Sequence, residues 1–293
     1  MIIERNEETM TAPSAPPVRL IVNCDDFGSS LAANEGVEAA LTRGIATSAT
    51  LMVPCPWAYD AMLRARHHAE WGIGVHLTHT AEWSRYRWRP LLPRDRVPGL
   101  YGPDGFMWPS AAEVWANATP QEALAESAAQ IEQAMAWGLQ PTHIDTHMGV
   151  LQFHQAFCAV YLELAEWFHL PLRMPGERRI AEALARFPWA KDLRERAQAR
   201  GIPLADEMVY GTVHAMESDA RQHVLEALAG LRPGTTEMLF HPAEDGHDLA
   251  AVIPSGGRDR VRDLQLLTAD ADVRRVIAER GIELVDFRAL GSA

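Results

Sequence analysis

Five residues of the kind that bind metals or move protons stand at the ends of strand-like runs. Asp25 and Asp26 follow Leu20–Cys24, His76 follows Ile73–Val75, His147 follows Thr142–Thr146, and His241 follows Thr236–Phe240. Asp26, His76, His147 and His241 are 50, 71 and 94 residues apart in turn, so only a fold that gathers strand ends would unite them. Two histidines and an aspartate around an open position make a good site for one catalytic divalent metal ion, zinc foremost, with magnesium or another divalent ion as alternatives. The carboxylate left over from the Asp25-Asp26 pair is then free to act as general base on a metal-bound water. A further histidine can protonate a leaving group. A cation also offsets the like-charge cost of adjacent carboxylates. The bland readings are structural: a strand-end histidine is commonly a hydrogen-bonded core residue, and Asp26 could cap a helix at Ser29 or Ser30. Four strand ends carrying Asp, His, His and His together speak for chemistry. Which chemistry stays open at this point, since metal-assisted hydrolysis, isomerisation and phosphoester cleavage would all use such ligands.

The elements that must position these groups alternate along the chain. Strand-like runs at Leu20–Cys24, Thr47–Val53, Ile73–Leu77, Thr142–Thr146, Pro171–Met174, Leu204–Tyr210, Thr236–Phe240 and Ile282–Phe287 are separated by helical patterns. The clearest helix spans Gln121–Trp137, with Pro120 at its start and Gly138 at its end. Others are expected over Glu177–Arg200 and Arg258–Arg280. Seven or eight such units argue for a parallel sheet closed, or nearly closed, into a barrel, whose reactive groups collect at the C-terminal strand ends. Residues 80–118 break the rhythm after the third strand. A connection of this length reads as a lid or a small insertion. It holds Trp83, Trp88, Trp108 and Trp115 out of nine tryptophans. Trp83 and Trp88 could stack on a sugar ring, or simply pin the insertion to the barrel.

Composition narrows the function. Acidic residues number 39 against 27 basic ones, so no basic surface recommends nucleic acid as a partner. Lys191 is the only lysine and sits in a helical, solvated context, which excludes a Schiff-base amine and a Walker A loop. Three cysteines form no paired framework, no apolar run is long enough to span a membrane, and Met1–Pro16 carries no signal-like hydrophobic region. The expectation is a soluble cytoplasmic protein, with residues 1–16 a disordered tail and 17–293 a single domain. A homodimer is expected only from the general frequency of such assemblies.

Four motifs occur in order: Asn23-Cys24-Asp25-Asp26-Phe27-Gly28, Gly74-Val75-His76-Leu77-Thr78, Pro141-Thr142-His143-Ile144-Asp145-Thr146-His147 and Glu237-Met238-Leu239-Phe240-His241-Pro242. Together they resemble the YdjC/ChbG-like carbohydrate deacetylases, relatives of the polysaccharide deacetylases, over about Arg19 to Leu290. The resemblance implies an α/β fold, a distorted (β/α) barrel, and removal of an acetyl group from an N-acetylated amino sugar. It implies Asp26, His76 and His147 as metal ligands, Asp25 as general base and His241 as acid. Arg173 resembles an Arg-x-Pro element that orients the base. The chain departs from the family where further histidines usually follow the third ligand: here His147 precedes Met148-Gly149-Val150-Leu151, which places a chitin-derived substrate in question.

Strand alternation adds one detail. His143, Asp145 and His147 share a face, so Asp145 would lie beneath His147 and accept a hydrogen bond from a ligating imidazole, with His143 deeper. His79 faces away from His76 and could reach substrate. Two other classes remain in play: a metal-dependent barrel isomerase or phosphoesterase acting on a sugar derivative, and a barrel that binds carbohydrate without catalysis.

Overall fold

In the computed structural model of the chain, residues 16–176, 178, 187–212, 219–253 and 257–291 are described. The expected N-terminal tail, apart from Pro16, and part of the helical stretch over Glu177–Arg200 lie outside them. The described strands are β1 (Val18–Phe27), β2 (Ser48–Leu51), β3 (Gly72–Leu77), β4 (Ile144–Thr146), β5 (Glu207–Tyr210), β6 (Gly234–Phe240) and β7 (Glu283–Leu284). All pair in parallel, in the order β4-β3-β2-β1-β6-β5, and β7 lies beside the first residues of β1. Single parallel bridges, Ile144 to Leu172 and Leu172 to Leu204, carry the sheet on from β4 towards β5. The expected strand over Pro171–Met174 is thus one bridge wide. Pro171 and Pro175 flank it, and proline cannot donate to a ladder. The sheet curls into the distorted α/β barrel that the alternation of elements predicts.

β1 is its axis. Leu20, Ile21 and Val22 are fully buried, and their faces are covered on both sides, as expected for a strand in a parallel sheet. The helices are α1 (Leu31–Arg43), α2 (Ala58–Ala65), α3 (Ala111–Asn117), α4 (Pro120–Ala136), α5 (Gln155–Phe168), α6 (Ala190–Ala199), α7 (Ala220–Ala229), α8 (His247–Val252), α9 (Gly257–Thr268) and α10 (Ala271–Glu279). The start of α1 is fixed by Ser30, whose hydroxyl accepts from the Ala33 amide. That of α4 is fixed by a reciprocal capping box between Thr119 and Glu122 with Pro120 in the first turn. Gln130 of α4 accepts from the Thr78 amide and donates to the Thr78 carbonyl, which anchors the end of β3 where His76 stands. No described helix is long and apolar enough to cross a membrane.

The insertion is folded rather than a loop. It contains α3 and bridges from Thr80 to Trp108 and from Tyr101 to Met107. It also packs a small core of Ala81, Trp88 and Met107 against Met52 and Cys55 of the barrel. Arg87 and Arg89, which alternate with aromatics in sequence, stack over Phe106, and Arg87 pairs with Asp104. They brace the insertion from within.

Candidate metal centre and catalytic site

Neighbouring residues on a regular strand point to opposite faces, yet Asp25 and Asp26 line the same cavity. A bulge makes this so. Between Cys24, opposite Ala49, and Phe27, opposite Leu51, β1 has one residue more than β2. The extra residue turns at Asp26, whose φ of 65° lies in the left-handed region, a conformation that costs an aspartate roughly 1–2 kcal/mol. Such strain recurs at functional sites. Gly28 follows with φ 91°, where a Cβ would also meet the Ala58 Cα at 2.9 Å.

Asp26, His76 and His147 converge. The Oδ1 of Asp26 lies 3.5 Å from His76 Nε2 and 3.3 Å from His147 Nδ1, and those two nitrogens are 3.3 Å apart. Asp26 Oδ1 is buried without a hydrogen-bond partner. Its other oxygen, Oδ2, accepts from Arg260 of α9 at 2.6 Å. Burial alone would strip protons from both rings, yet the carboxylates around them raise His76 to about 10 and His147 to about 9. A field that holds a proton on each imidazole also favours a cation between them, so the donor set fits a divalent metal.

A second set of possible ligands, Asp25, His76 and Asp145, lies just below, but a guanidinium already fills it. Arg173 donates from Nη1 and Nη2 to Asp25 at 2.7 and 2.6 Å, from Nε to Glu237 at 2.6 Å, and its Nη1 is 2.7 Å from Asp145. Burial works to raise Asp25, but Arg173 overrides it and holds the carboxyl well below the ordinary range. Asn23 adds a hydrogen bond to Asp25 Oδ1 at 2.8 Å. Glu237 is pushed up to about 7 by burial, against the pull of the same arginine.

Asp145 accepts from His76 Nδ1 at 2.6 Å and from the Thr50 hydroxyl at 3.0 Å. It lies beneath the site, bonded to His76. His143 lies deeper, stacked on Phe287 with ring centroids 3.6 Å apart. His241 borders the cavity with its Nε2 3.9 Å from Asp25 Oδ2, and its backbone amide donates to Asp263. Burial pulls its ring below the ordinary histidine value.

The cavity above these groups measures about 490 Å³. Polar groups crowd its floor, while Met148, Phe153, Met208 and Leu239 give it an apolar side. A larger cleft of about 570 Å³ opens at the opposite, N-terminal end of the strands, near Ile73 and Thr142. It lacks the converging carboxylates and imidazoles, and in such barrels chemistry belongs to the C-terminal face. Two expected contacts lie elsewhere. His79 is fully buried, 2.9 Å from the Ser127 hydroxyl of α4, where burial lowers it to about 4. Trp88 is enclosed in the insertion core, its indole donating to the Thr80 carbonyl. Trp83 stacks over Arg260 at 5.8 Å, and the rings that line the cavity are Phe153 and Tyr210.

Sequence reasoning missed Glu82, Arg260 and Glu237. Glu237 left a signal: it shares a strand face with Leu239 and His241 inside an otherwise apolar run. Arg260 sits in a charged helical stretch that reads as solvated, and Glu82 in an insertion with no periodicity.

A family model described as YdjC-like protein matches residues 19–279. A carbohydrate deacetylase of Enterococcus faecalis is 34% identical over 276 residues, covering 93% of this chain and 98% of its own. One from Geobacillus stearothermophilus is 31% identical, covering 93% and 98%. The crystal structure of an Enterococcus faecalis protein described as a candidate for cellobiose-phosphate cleavage superposes with a TM-score of 0.79 at 32% identity, covering 94% of this chain and 99% of that one. An uncharacterised Agrobacterium tumefaciens protein shares the fold, with a TM-score of 0.54 at 15% identity and coverage of 96% and 92%. On the span of the family match and the end-to-end likeness to these relatives, the chain belongs to the YdjC-like protein family.

Proposed function

We propose that this protein is a metal-dependent carbohydrate deacetylase, a hydrolase that removes the acetyl group from an N-acetylated amino sugar or small glycoconjugate. The observation that carries the reading is the unpartnered Asp26 Oδ1 facing two imidazole nitrogens, beside a carboxylate kept ionised by Arg173. The names borne by the relatives support the same substrate class. Zinc is the ion favoured. Two imidazole nitrogens and one carboxylate oxygen form a donor set that suits zinc. Magnesium prefers oxygen ligands and is the weaker match.

Bound there, the ion would acidify a water and offset charge developing on the amide oxygen. Asp25 takes the proton that the attacking water sheds; Arg173 and Asn23 hold its oxygens in place for this. His241 gives a proton from Nε2 to the departing nitrogen, so that the C–N bond breaks and a neutral amine leaves with acetate. The apolar side at Met148, Phe153, Met208 and Leu239 suits the ring face of a sugar. Met148 stands where the family usually has a further histidine, which argues for a substrate other than a chitin-derived oligosaccharide. Three buried, unpaired thiols fit a reducing cytoplasm, and only the general frequency of such assemblies favours a homodimer. Elemental analysis followed by an acetate-release screen over N-acetylated mono- and oligosaccharides tests the reading. Stoichiometric zinc and acetate from at least one sugar are expected. A metal-loaded protein that releases none but converts sugar phosphates would move the assignment to an isomerase or phosphoesterase. One that only binds sugars would make it a non-catalytic barrel.

A further inference from the structure

The two histidines of the site face it through different nitrogens. His76 turns Nδ1 to Asp145 at 2.6 Å and so presents Nε2 to Asp26. His147 does the reverse: Nδ1 faces Asp26 and His76, and Nε2 lies 3.1 Å from Glu82 Oε2. An imidazole offers a lone pair at one nitrogen only when its proton is held at the other, and a carboxylate partner fixes that choice. For His76 the partner comes from the neighbouring strand β4. For His147 it comes from the insertion.

We propose that Glu82 is a positioning residue for His147, setting the nitrogen offered to the metal and making the insertion a built part of the metal centre rather than a cover over it. This rests on the metal-binding reading above. His147 needs such support because the chain leaves regular strand geometry there, with Met148 and Gly149 at φ 52° and 67°. Glu82 can supply it because its neighbours are fixed. The Ala81 amide donates to the Trp108 carbonyl at 2.8 Å, and Trp83 packs edge-on against Trp88 at 5.5 Å. Tyr86 donates its hydroxyl to the Ser29 carbonyl at 2.8 Å, tying the insertion to the turn after β1. Glu82 and Arg260 then flank the ligand triangle with opposite charges: Arg260 occupies Asp26 Oδ2 and leaves Oδ1 free, while Glu82 holds the far nitrogen of His147.

The test is zinc affinity of the metal-free full chain, measured by competition with a chromophoric chelator, for wild type, Glu82→Ala, Glu82→Gln and Glu126→Gln. Loss of such a supporting partner typically weakens metal binding about 10- to 100-fold. Glu82→Ala should show that loss, and Glu82→Gln a smaller one, since its amide oxygen still accepts. Glu126 holds the Leu91 and Leu92 amides of the insertion without touching His147, so Glu126→Gln should stay within about threefold of wild type. Zinc affinity unchanged in Glu82→Ala overturns the proposal and leaves the metal centre standing. Equal losses in Glu82→Ala and Glu126→Gln overturn it in favour of general anchoring by the insertion. A wild type that binds no zinc overturns the underlying reading and this proposal with it.

Discussion

Asparagine at position 25 and asparagine at position 26 should give two different failures, although the residues are adjacent and face one cavity. Asp25 accepts from Arg173 at 2.7 and 2.6 Å and from Asn23 at 2.8 Å. Asparagine with its oxygen at the place of Oδ1 keeps the bonds from Arg173 Nη2 and Asn23 and turns its N–H₂ towards Arg173 Nη1. One charge-assisted bond worth roughly 1.5–3 kcal/mol is thus lost, and the other two lose the carboxylate charge. Arg173 keeps Glu237 and Asp145, so no bare charge is left and the net cost should be about 2–4 kcal/mol. For a chain of this size that lowers Tm by roughly 5–15 °C. Activity should fall much further, by about 10²- to 10⁴-fold in kcat/KM, the usual worth of a general base. Zinc affinity should stay within about threefold of wild type, because Asp25 lies outside the triangle of Asp26, His76 and His147 proposed to hold the ion. Asp26→Asn should do the opposite to the metal, weakening zinc by more than the ~100-fold that a supporting partner carries. Thermal denaturation, chelator competition and acetate release at saturating zinc read the three quantities separately. Loss of zinc from Asp25→Asn with retention by Asp26→Asn would exchange the two roles and refute the reasoning.

Three further outcomes follow from other parts of the molecule. Arg173→Lys leaves one ammonium where a planar guanidinium meets Asp25, Asp145 and Glu237; it should cost about 3–5 kcal/mol in urea unfolding and lower kcat about 10²-fold with little change in KM. His79 is neutral when folded, at about 4 against 6.5, so unfolding takes up a proton between those values. Stability should therefore drop by roughly 3 kcal/mol as pH falls from 6.5 to 4, and His79→Gln should flatten that slope; an unchanged slope refutes it. Gly74→Ala would set a methyl 2.5 Å from the His143 Cε1 and 2.7 Å from its carbonyl oxygen. Overpacking of this kind typically costs 1–3 kcal/mol or more, so Tm should fall by several degrees.

The strand ends were legible because short strand-like runs each close on an aspartate or a histidine, and in a parallel barrel such ends share one face. That logic reached Asp25, Asp26, His76, His147 and His241 and, through period two, Asp145. Its first limit is the bulge: alternation assigns Asp25 and Asp26 to opposite faces, and only the register between Cys24 and Phe27 reveals otherwise. A second limit is detail: alternation made Asp145 the acceptor for an imidazole of the site without saying which, and the ring is His76, across the ladder. The third is the contributions made by irregular or exposed-looking segments. Glu82 depends on the tertiary packing of the insertion, Arg260 on the placement of α9, and neither writes a period into the sequence. The aromatic residues left two uses open for the same reason: Trp88 has the composition of a sugar platform but serves the other use, as filling that pins the insertion to the barrel.

The seam between β4 and β5 has a consequence for how this protein should fail. There the barrel wall is held by isolated bridges at Leu172 and Leu204, and Arg173 stands on the seam itself. Its guanidinium reaches β1, β4 and β6 at once, acting as a keystone where backbone pairing is thin. The alignment of Asp25 therefore hangs on the weakest course of the wall. On heating, the arch should loosen at the seam while its helices remain intact, and hydrolysis should fade several degrees before the circular-dichroism signal does.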